Sequence, residues 1–205
     1  MDSEHDKRVF LKGPKRQKIL DAALATFTRK GYGDTTVPDI AREAGVAVGT
    51  IYNYFPGKRE LLVALMTDRF FTDPFLQLLE TAESQADSSF LDSFFEDRIK
   101  FGFEMADHIL FMLNEVQRNP DVRAQYIDTI LNPILEKIQS YLANGMKNRK
   151  IRAVNPAIVS RAIAAMGLGF ILLYSIEKEK SPVRKSEPKR LAQDLSGIVL
   201  EGLKR

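Results

Sequence analysis

Cysteine is absent from the 205 residues, which excludes disulfides, iron–sulfur clusters and thiolate zinc sites. Histidine is nearly absent too. His5 and His108 are the only two, so no metal and no cofactor is expected. The sequence contains no Gly-rich phosphate loop, no serine-nucleophile motif and no His/Glu pair at metal-ligand spacing, which argues against an enzyme. No apolar–polar alternation is long enough for a strand, and there is no repeat and no low-complexity tract. The longest apolar run, Ala162 to Tyr174, is shorter than the ~20 residues that span a bilayer. The N-terminal stretch MDSEHDKRVFLKGPKRQ is charged and lacks the apolar centre of a secretory signal. The expectation is a soluble, cytoplasmic chain with no membrane partner.

What is present suits a helical globular protein. Hydrophobic residues make up 44% of the chain, enough for a core without staples. The net charge of +3 is carried entirely by residues 1–60, which hold 11 basic and 8 acidic residues, while the rest is balanced. Lys7, Arg8, Lys12, Lys15, Arg16 and Lys18 form a basic cluster within that stretch, which suits either a polyanion or a solvated tail. Leu20, Ala23, Leu24 and Phe27 make a helical stripe between Pro14 and Gly31-Tyr32-Gly33. Further helices are predicted at 37–44, 48–55, 58–71, 75–86, 89–106, 108–118, 121–147 (with a kink at Pro133), 156–178 and 188–203.

The pair of short helices around Gly45 is the most informative part. Thr36 can cap the first, with Asp39 at the capping-box position and Pro38 in the first turn. A turn of three residues, 45–47, then separates it from the second. Two short helices joined by a tight, Gly-containing turn make a helix-turn-helix, and the second helix is small enough for the major groove. Val48, Ile51 and Phe55 define its buried face. Asn53 falls nearly opposite them, flanked by Gly49, Thr50 and Tyr54, with Tyr52 at the edge. Such side chains hydrogen-bond to base edges and phosphates, and Gly49 lets a backbone approach closely. Lys58, opening the next helix, and Thr36 are placed for phosphates.

The stretch RQKILDAALATFTRKGYGDTTVPDIAREAGVAVGTIYNYFPGKRELLVALM, Arg16 to Met66, resembles the N-terminal domain of the tetracycline-repressor (TetR) family. The resemblance rests on "ILDAALATF", "GYGDTTVPDIAREAGV", "GTIYNYFPGKREL" and their spacing. It implies an all-α fold in which a three-helix DNA-binding domain with a helix-turn-helix is followed by a larger helical ligand-binding and dimerisation domain. The expected division is 1–57 (with a basic tail, 1–13), a connecting helix 58–74, and 75–205. The resemblance implies Thr36 and Lys58 as phosphate contacts and Gly49, Thr50, Tyr52, Asn53 and Tyr54 as the reading face. Many members carry Ser-Lys where this chain has Ala47-Val48, so Lys15 and Arg16 are expected to supply phosphate contacts instead.

Two features of the larger domain can be read physically. The run AIAAMGLGFILLY within 156–178 is apolar all round and demands burial on every side. It is either a central helix of a monomer or a dimer helix, and the family resemblance implies a dimer through the last two helices. With the last helix it nominates Ala165, Leu168, Leu172, Leu191, Leu195 and Ile198 for the interface. Two reading helices related by a two-fold axis would require a palindromic double-stranded DNA operator. The second feature is aromatic crowding. Nine of the 13 phenylalanines, at 70, 71, 75, 90, 94, 95, 101, 103 and 111, lie within about 40 residues of each other. They form either an ordinary core or an apolar ligand pocket, for which Phe94, Phe101, Met105, His108, Met112, Gln117 and Tyr126 are nominated. The partners expected are operator DNA, a second copy of the chain and a hydrophobic small-molecule effector that weakens DNA binding. Repression is what the family resemblance favours. Activation stays open, since its sign depends on where the operator lies.

Overall fold

A computed structural model describes residues 13–70, 73–81 and 89–204. Lys7, Arg8, Lys12, Phe71 and the side chain of Phe70 lie outside the described set, as does the end of the helix expected at 75–86. Every regular element among the described residues is helical: α1 (Pro14–Lys30), α2 (Val37–Ala44), α3 (Val48–Tyr54), α4 (Lys58–Phe70), α5 (Asp73–Thr81), α6 (Ser89–Arg118), α7 (Pro120–Tyr126), α8 (Asn132–Lys147), α9 (Pro156–Glu177) and α10 (Pro188–Leu203). A π-turn, Ile127–Leu131, joins α7 to α8, and a short 3₁₀ turn follows α9.

The first three helices form a small head. Ile19, Leu20, Ala23 and Phe27 of α1 are sealed against Ile40, Ala41 and Ala44 of α2 and Ile51 of α3. Helices of eight and seven residues are too short to persist alone, so their ends are held by specific bonds. Thr36 and Asp39 form the expected capping box, with the Asp39 amide donating to Thr36 Oγ1 at 3.3 Å and the Thr36 amide to Asp39 Oδ2 at 3.1 Å. Gly45 turns the chain out of α2 at φ 60°, and the next amide, Val46, donates back to Ala41 O at 3.0 Å. That left-handed position favours glycine.

Helix α6 is the mast of the remainder. α5, α7, α9 and α10 all pack on it, and α9 also lies against α8. The expectation of two helices, 89–106 and 108–118, is corrected here, because α6 runs unbroken for 30 residues. Asp107-His108 is polar but contains no helix breaker. The buried series Phe94, Phe101, Met105, Ile109 and Met112 passes straight through it. The kink expected at Pro133 takes the form of the π-turn. Proline has no N–H to return to Thr129, so the ladder widens by one residue, and the Asn132 amide donates to Ile127 O instead. Gly102 lets α9 come close to α6, since a Cβ there would stand 2.5 Å from Ile171 Cγ1.

Most of the phenylalanine cluster is core. Phe75, Phe90 and Phe95 are fully buried, and the Phe90 ring lies 4.9 Å from that of Tyr141. One expectation about α9 also needs correcting. Within Pro156–Lys180, 25 residues long, an 18-residue window reaches a mean hydropathy of 1.9, long and apolar enough to cross a membrane by length and composition. Its Ser160, Ile163, Gly167, Ile171 and Ser175 edge is instead buried within this chain, and the polar hydroxyl of Ser175 is satisfied by Ile171 O at 2.8 Å.

Candidate nucleic-acid interface and ligand cleft

Helix α3 is wedged into the head by Ile51 and Phe55, 1% and 3% exposed. The opposite side carries Gly49, Tyr52 and Asn53, all exposed, with Thr50 and Tyr54 half-buried beside them. Tyr52 is 52% exposed, high for so large an aromatic side chain. Tyr54 leans back, its ring 6.4 Å from that of Phe55. Nothing lies within 4 Å of where a Gly49 Cβ would sit, so internal packing does not require a glycine there. Thr36 is exposed at the start of α2.

Three cations expected on the DNA side have different surroundings. Lys15 is exposed. Arg16 is not available as expected. It is buried, makes a two-pronged ion pair with Asp68 of α4 (Nη2 to Oδ1 3.1 Å) and lies 5.4 Å from the centre of the Phe55 ring. The physical reason is the helix face: one turn before Leu20, Arg16 shares the side of α1 that meets α4. Lys58 also turns inward. Its ammonium donates to the carbonyls of Tyr32 (2.7 Å), Gly33 (3.1 Å) and Thr35 (2.9 Å) and lies 4.4 Å from the Tyr32 ring. An ammonium has three N–H groups, so a phosphate at Lys58 would have to displace one of these carbonyls. Sequence reasoning did not single out Lys18, whose exposed ammonium stands 3.7 Å from where a Cβ on Gly45 would lie. It brings a positive charge to the turn, where Ala47-Val48 has none.

Ion pairs pin α2 in place. Asp39 receives Lys30 Nζ at 3.0 Å and Arg42 Nη1 at 3.4 Å. The Lys30 contact, followed by the Thr36 hydroxyl and amide, holds its carboxyl well below the usual carboxylate range.

A cleft of about 310 Å³ opens between α6, the α7–α8 corner and α9. It is lined by Phe94, Phe101, Ile109, Tyr126, Leu131, Ile134 and others that are mostly apolar. Three of the seven nominated pocket residues line it: Phe94, Phe101 and Tyr126. Met105 and Met112 are buried in the core outside it, 7% and 2% exposed, while His108 and the exposed Gln117 also lie outside its wall. Met112 and Gln117 lie further along α6 than Ile109, the last of its residues on the wall. Burial pushes the Tyr126 hydroxyl above its ordinary pKa, partly countered by Arg98. Sequence reasoning did not nominate two further wall residues, Arg98 and Arg161. The Arg98 guanidinium is buried, paired with Asp97 and stacked 3.6 Å over Phe75. Burial lowers its pKa and Asp97 raises it.

Ala165 and Leu168, nominated for a dimer interface, line this cleft. Leu191 is buried within its own chain, Leu172 and Leu195 are half-buried, and Ile198 is 63% exposed. The outward side of α9 carries Ile158, Leu173 and Ile176 at 66%, 60% and 67% exposure. Ala162 and Ala165 are exposed on the same side.

A short helix braced by two buried side chains, with its polar groups facing out behind a left-handed glycine turn, defines a helix-turn-helix protein. The profile of the family described as "Bacterial regulatory proteins, tetR family" matches residues 19–65. The fatty acid metabolism regulator protein of Bacillus subtilis is 29% identical over 144 residues, covering 69% of this chain and 73% of that protein. The HTH-type transcriptional regulator YhgD of the same organism is 28% identical over 204 residues, covering 92% and 96%. Among solved structures, B. subtilis FadR in complex with stearoyl-CoA matches with a TM-score of 0.70 at 22% identity, covering 91% of this chain and 98% of that one. The match over the first domain and these similarities support a TetR-family regulator, and the chain is a DNA-binding regulator of transcription.

Proposed function

We propose that this regulator is a cytoplasmic repressor that binds a palindromic operator as a homodimer and is released by an apolar small molecule. The observation that carries the reading is the outward face of α3. Gly49, Tyr52 and Asn53 are presented to solvent while Ile51 and Phe55 hold the helix rigid from behind. Thr50 and Tyr54 flank them, and Thr36, Lys15 and Lys18 are the phosphate-facing groups. Lys58 acts chiefly by holding the α1–α2 loop. The proposed division is a DNA-binding domain to residue 57, a connecting helix 58–74, and a ligand-binding and dimerisation domain from 75.

The dimer reading is supported by the exposed apolar stripe on α9. Ile158, Ala162, Gly169, Leu173 and Ile176 recur at helical spacing on one side of the helix. Ile198 of α10 adds to this apolar surface. A monomer leaving so many large apolar side chains in water is unfavourable. A second copy related by a two-fold axis would cover them in a four-helix arrangement. The ligand reading is supported by the cleft. FadR, a protein of similar fold, is in complex with stearoyl-CoA, which fits an apolar effector here. Release then requires that the effector favour one spacing of the two reading heads over the other.

The test is selection of bound sequences from a random double-stranded pool by the full-length protein. A palindromic consensus is expected, with affinity that falls steeply as salt rises. Asn53→Ala should lose about 1–3 kcal/mol of discrimination between the consensus and random DNA. A non-palindromic consensus, or none, would reject the reading.

A further inference from the structure

We infer, building on the ligand-responsive reading above, that the effector is an amphiphile with an acidic head, and that Arg161 pairs with that head at the mouth of the cleft. Among the described residues the wall is apolar apart from two arginines and the Tyr126 hydroxyl, with no aspartate or glutamate. An apolar body with a few fixed polar groups is the usual make-up of a ligand site. Here the charged ones are both positive.

The two arginines are not equivalent. Arg98 sits deep, its charge balanced by Asp97 and its face stacked on Phe75. Arg161 is exposed on α9, and its Nη1 donates to Ala157 O at 2.8 Å. Among the described residues it meets no carboxylate. The uncompensated charge is therefore at the rim, where a ligand whose tail fills the apolar interior would leave its head. Guanidinium matches a carboxylate or phosphate geometrically, by paired N–H bonds.

Volume limits the tail. A cavity of about 310 Å³ holds roughly ten groups of water or methylene size at ~30 Å³ each. A chain on the order of ten carbons suits that volume. The head could be the free carboxylate of a fatty acid or the phosphates of its coenzyme A thioester, since both are anions for the same guanidinium.

The experiment follows thermal unfolding of the full-length protein by helical circular dichroism. Decanoate, decanoyl-CoA, decanol and decyltrimethylammonium are compared at matched concentrations below micelle formation. Decanoate, decanoyl-CoA or both should raise Tm more than decanol, and the cationic compound least. Arg161→Gln should weaken the favoured anion roughly five-fold, the scale of a partly solvated ion pair, bringing it to the level of decanol. Arg161→Lys should retain the preference for an anion. A larger shift with decanoate assigns the head to the carboxylate, and a larger shift with decanoyl-CoA assigns it to the phosphates. Equal shifts for alcohol and anion, a preference that survives Arg161→Gln, or no shift with any compound overturns the inference. Operator release is read on the same samples. Binding and release by neutral decanol would leave the repressor reading standing while removing the acidic head. Failure to bind any operator without ligand would instead remove the repressor reading.

Discussion

The head and the body of this protein are both helical, but they are held together by different forces. In the head, α2 and α3 are eight and seven residues long. Their buried faces are supplemented by individual polar bonds in and around the head: the Thr36–Asp39 box, the Gly45 turn, Lys58 across three carbonyls and Arg16 on Asp68. In the body, α6 and α9 run for 30 and 22 residues and are fixed by apolar faces and aromatic rings. Short helices gain too little from burial to define their own ends, so directional bonds must do it. Long helices define themselves and can leave a cleft or an uncovered face without unfolding. The head thereby presents a braced reading helix, and the body carries a cleft and an uncovered apolar face.

The largest expected effect breaks the body where it is least complete. Leu173→Glu with Ile176→Glu puts charges on the exposed α9 stripe without touching the core. Light scattering should report a monomer, and operator affinity should fall by about two orders of magnitude or more, the scale of lost bivalency. A monomer with undiminished affinity would separate DNA binding from dimerisation. Next in size is the joint between the two regions. Arg16→Met leaves Asp68 without its partner and removes the cation over Phe55. The loss should be roughly 2 kcal/mol by denaturant unfolding, below the 3–5 kcal/mol of a fully buried pair, because Asp68 keeps 28% exposure. If Arg16 instead served the phosphates, stability would hold and only DNA affinity would drop.

Two lysines sharpen the contrast within the head. Lys58→Met should lower Tm by removing the ammonium's hydrogen bonds to the Tyr32, Gly33 and Thr35 carbonyls, with little change in the salt dependence of DNA binding. Lys15→Ala should leave Tm alone and reduce the slope of log affinity against log salt by about one. The smallest effect is at the cap. Thr36→Ala should cost about 1 kcal/mol. The folded-state pKa of Asp39 is depressed, so its contribution is fully present above the ordinary carboxylate pKa and is lost as pH falls through the folded value. Acid should therefore narrow the gap between the wild type and an Asp39→Asn variant, read as Tm against pH.

The head is largely legible in the order of its residues. Its turn, its capping box and the split of α3 into buried and exposed sides follow from local spacing, glycine and β-region capping residues, all of which act within a few positions of one another. Arg16 escapes such a reading because its partner is 52 residues away, and the basic cluster around it suggests solvent. Lys58 escapes for the same reason, its three carbonyls lying 23 to 26 residues back.

In the body, the order and extent of most helices are readable, but their faces are not. Within Ala162–Tyr174 every residue is apolar or glycine, so periodicity carries no information about which side is inward. Only packing against α6 and α8 separates the buried Ile163, Gly167 and Ile171 from the exposed Leu173 and Ile176, and assigns Ala165 and Leu168 to a cleft wall. The amino-acid sequence alone determined the helical class, the reading module and the positions of its caps, because those depend on neighbours along the chain. The tertiary structure decided which cations remain exposed and where the cleft lies, because both depend on side chains that meet only after distant helices have packed.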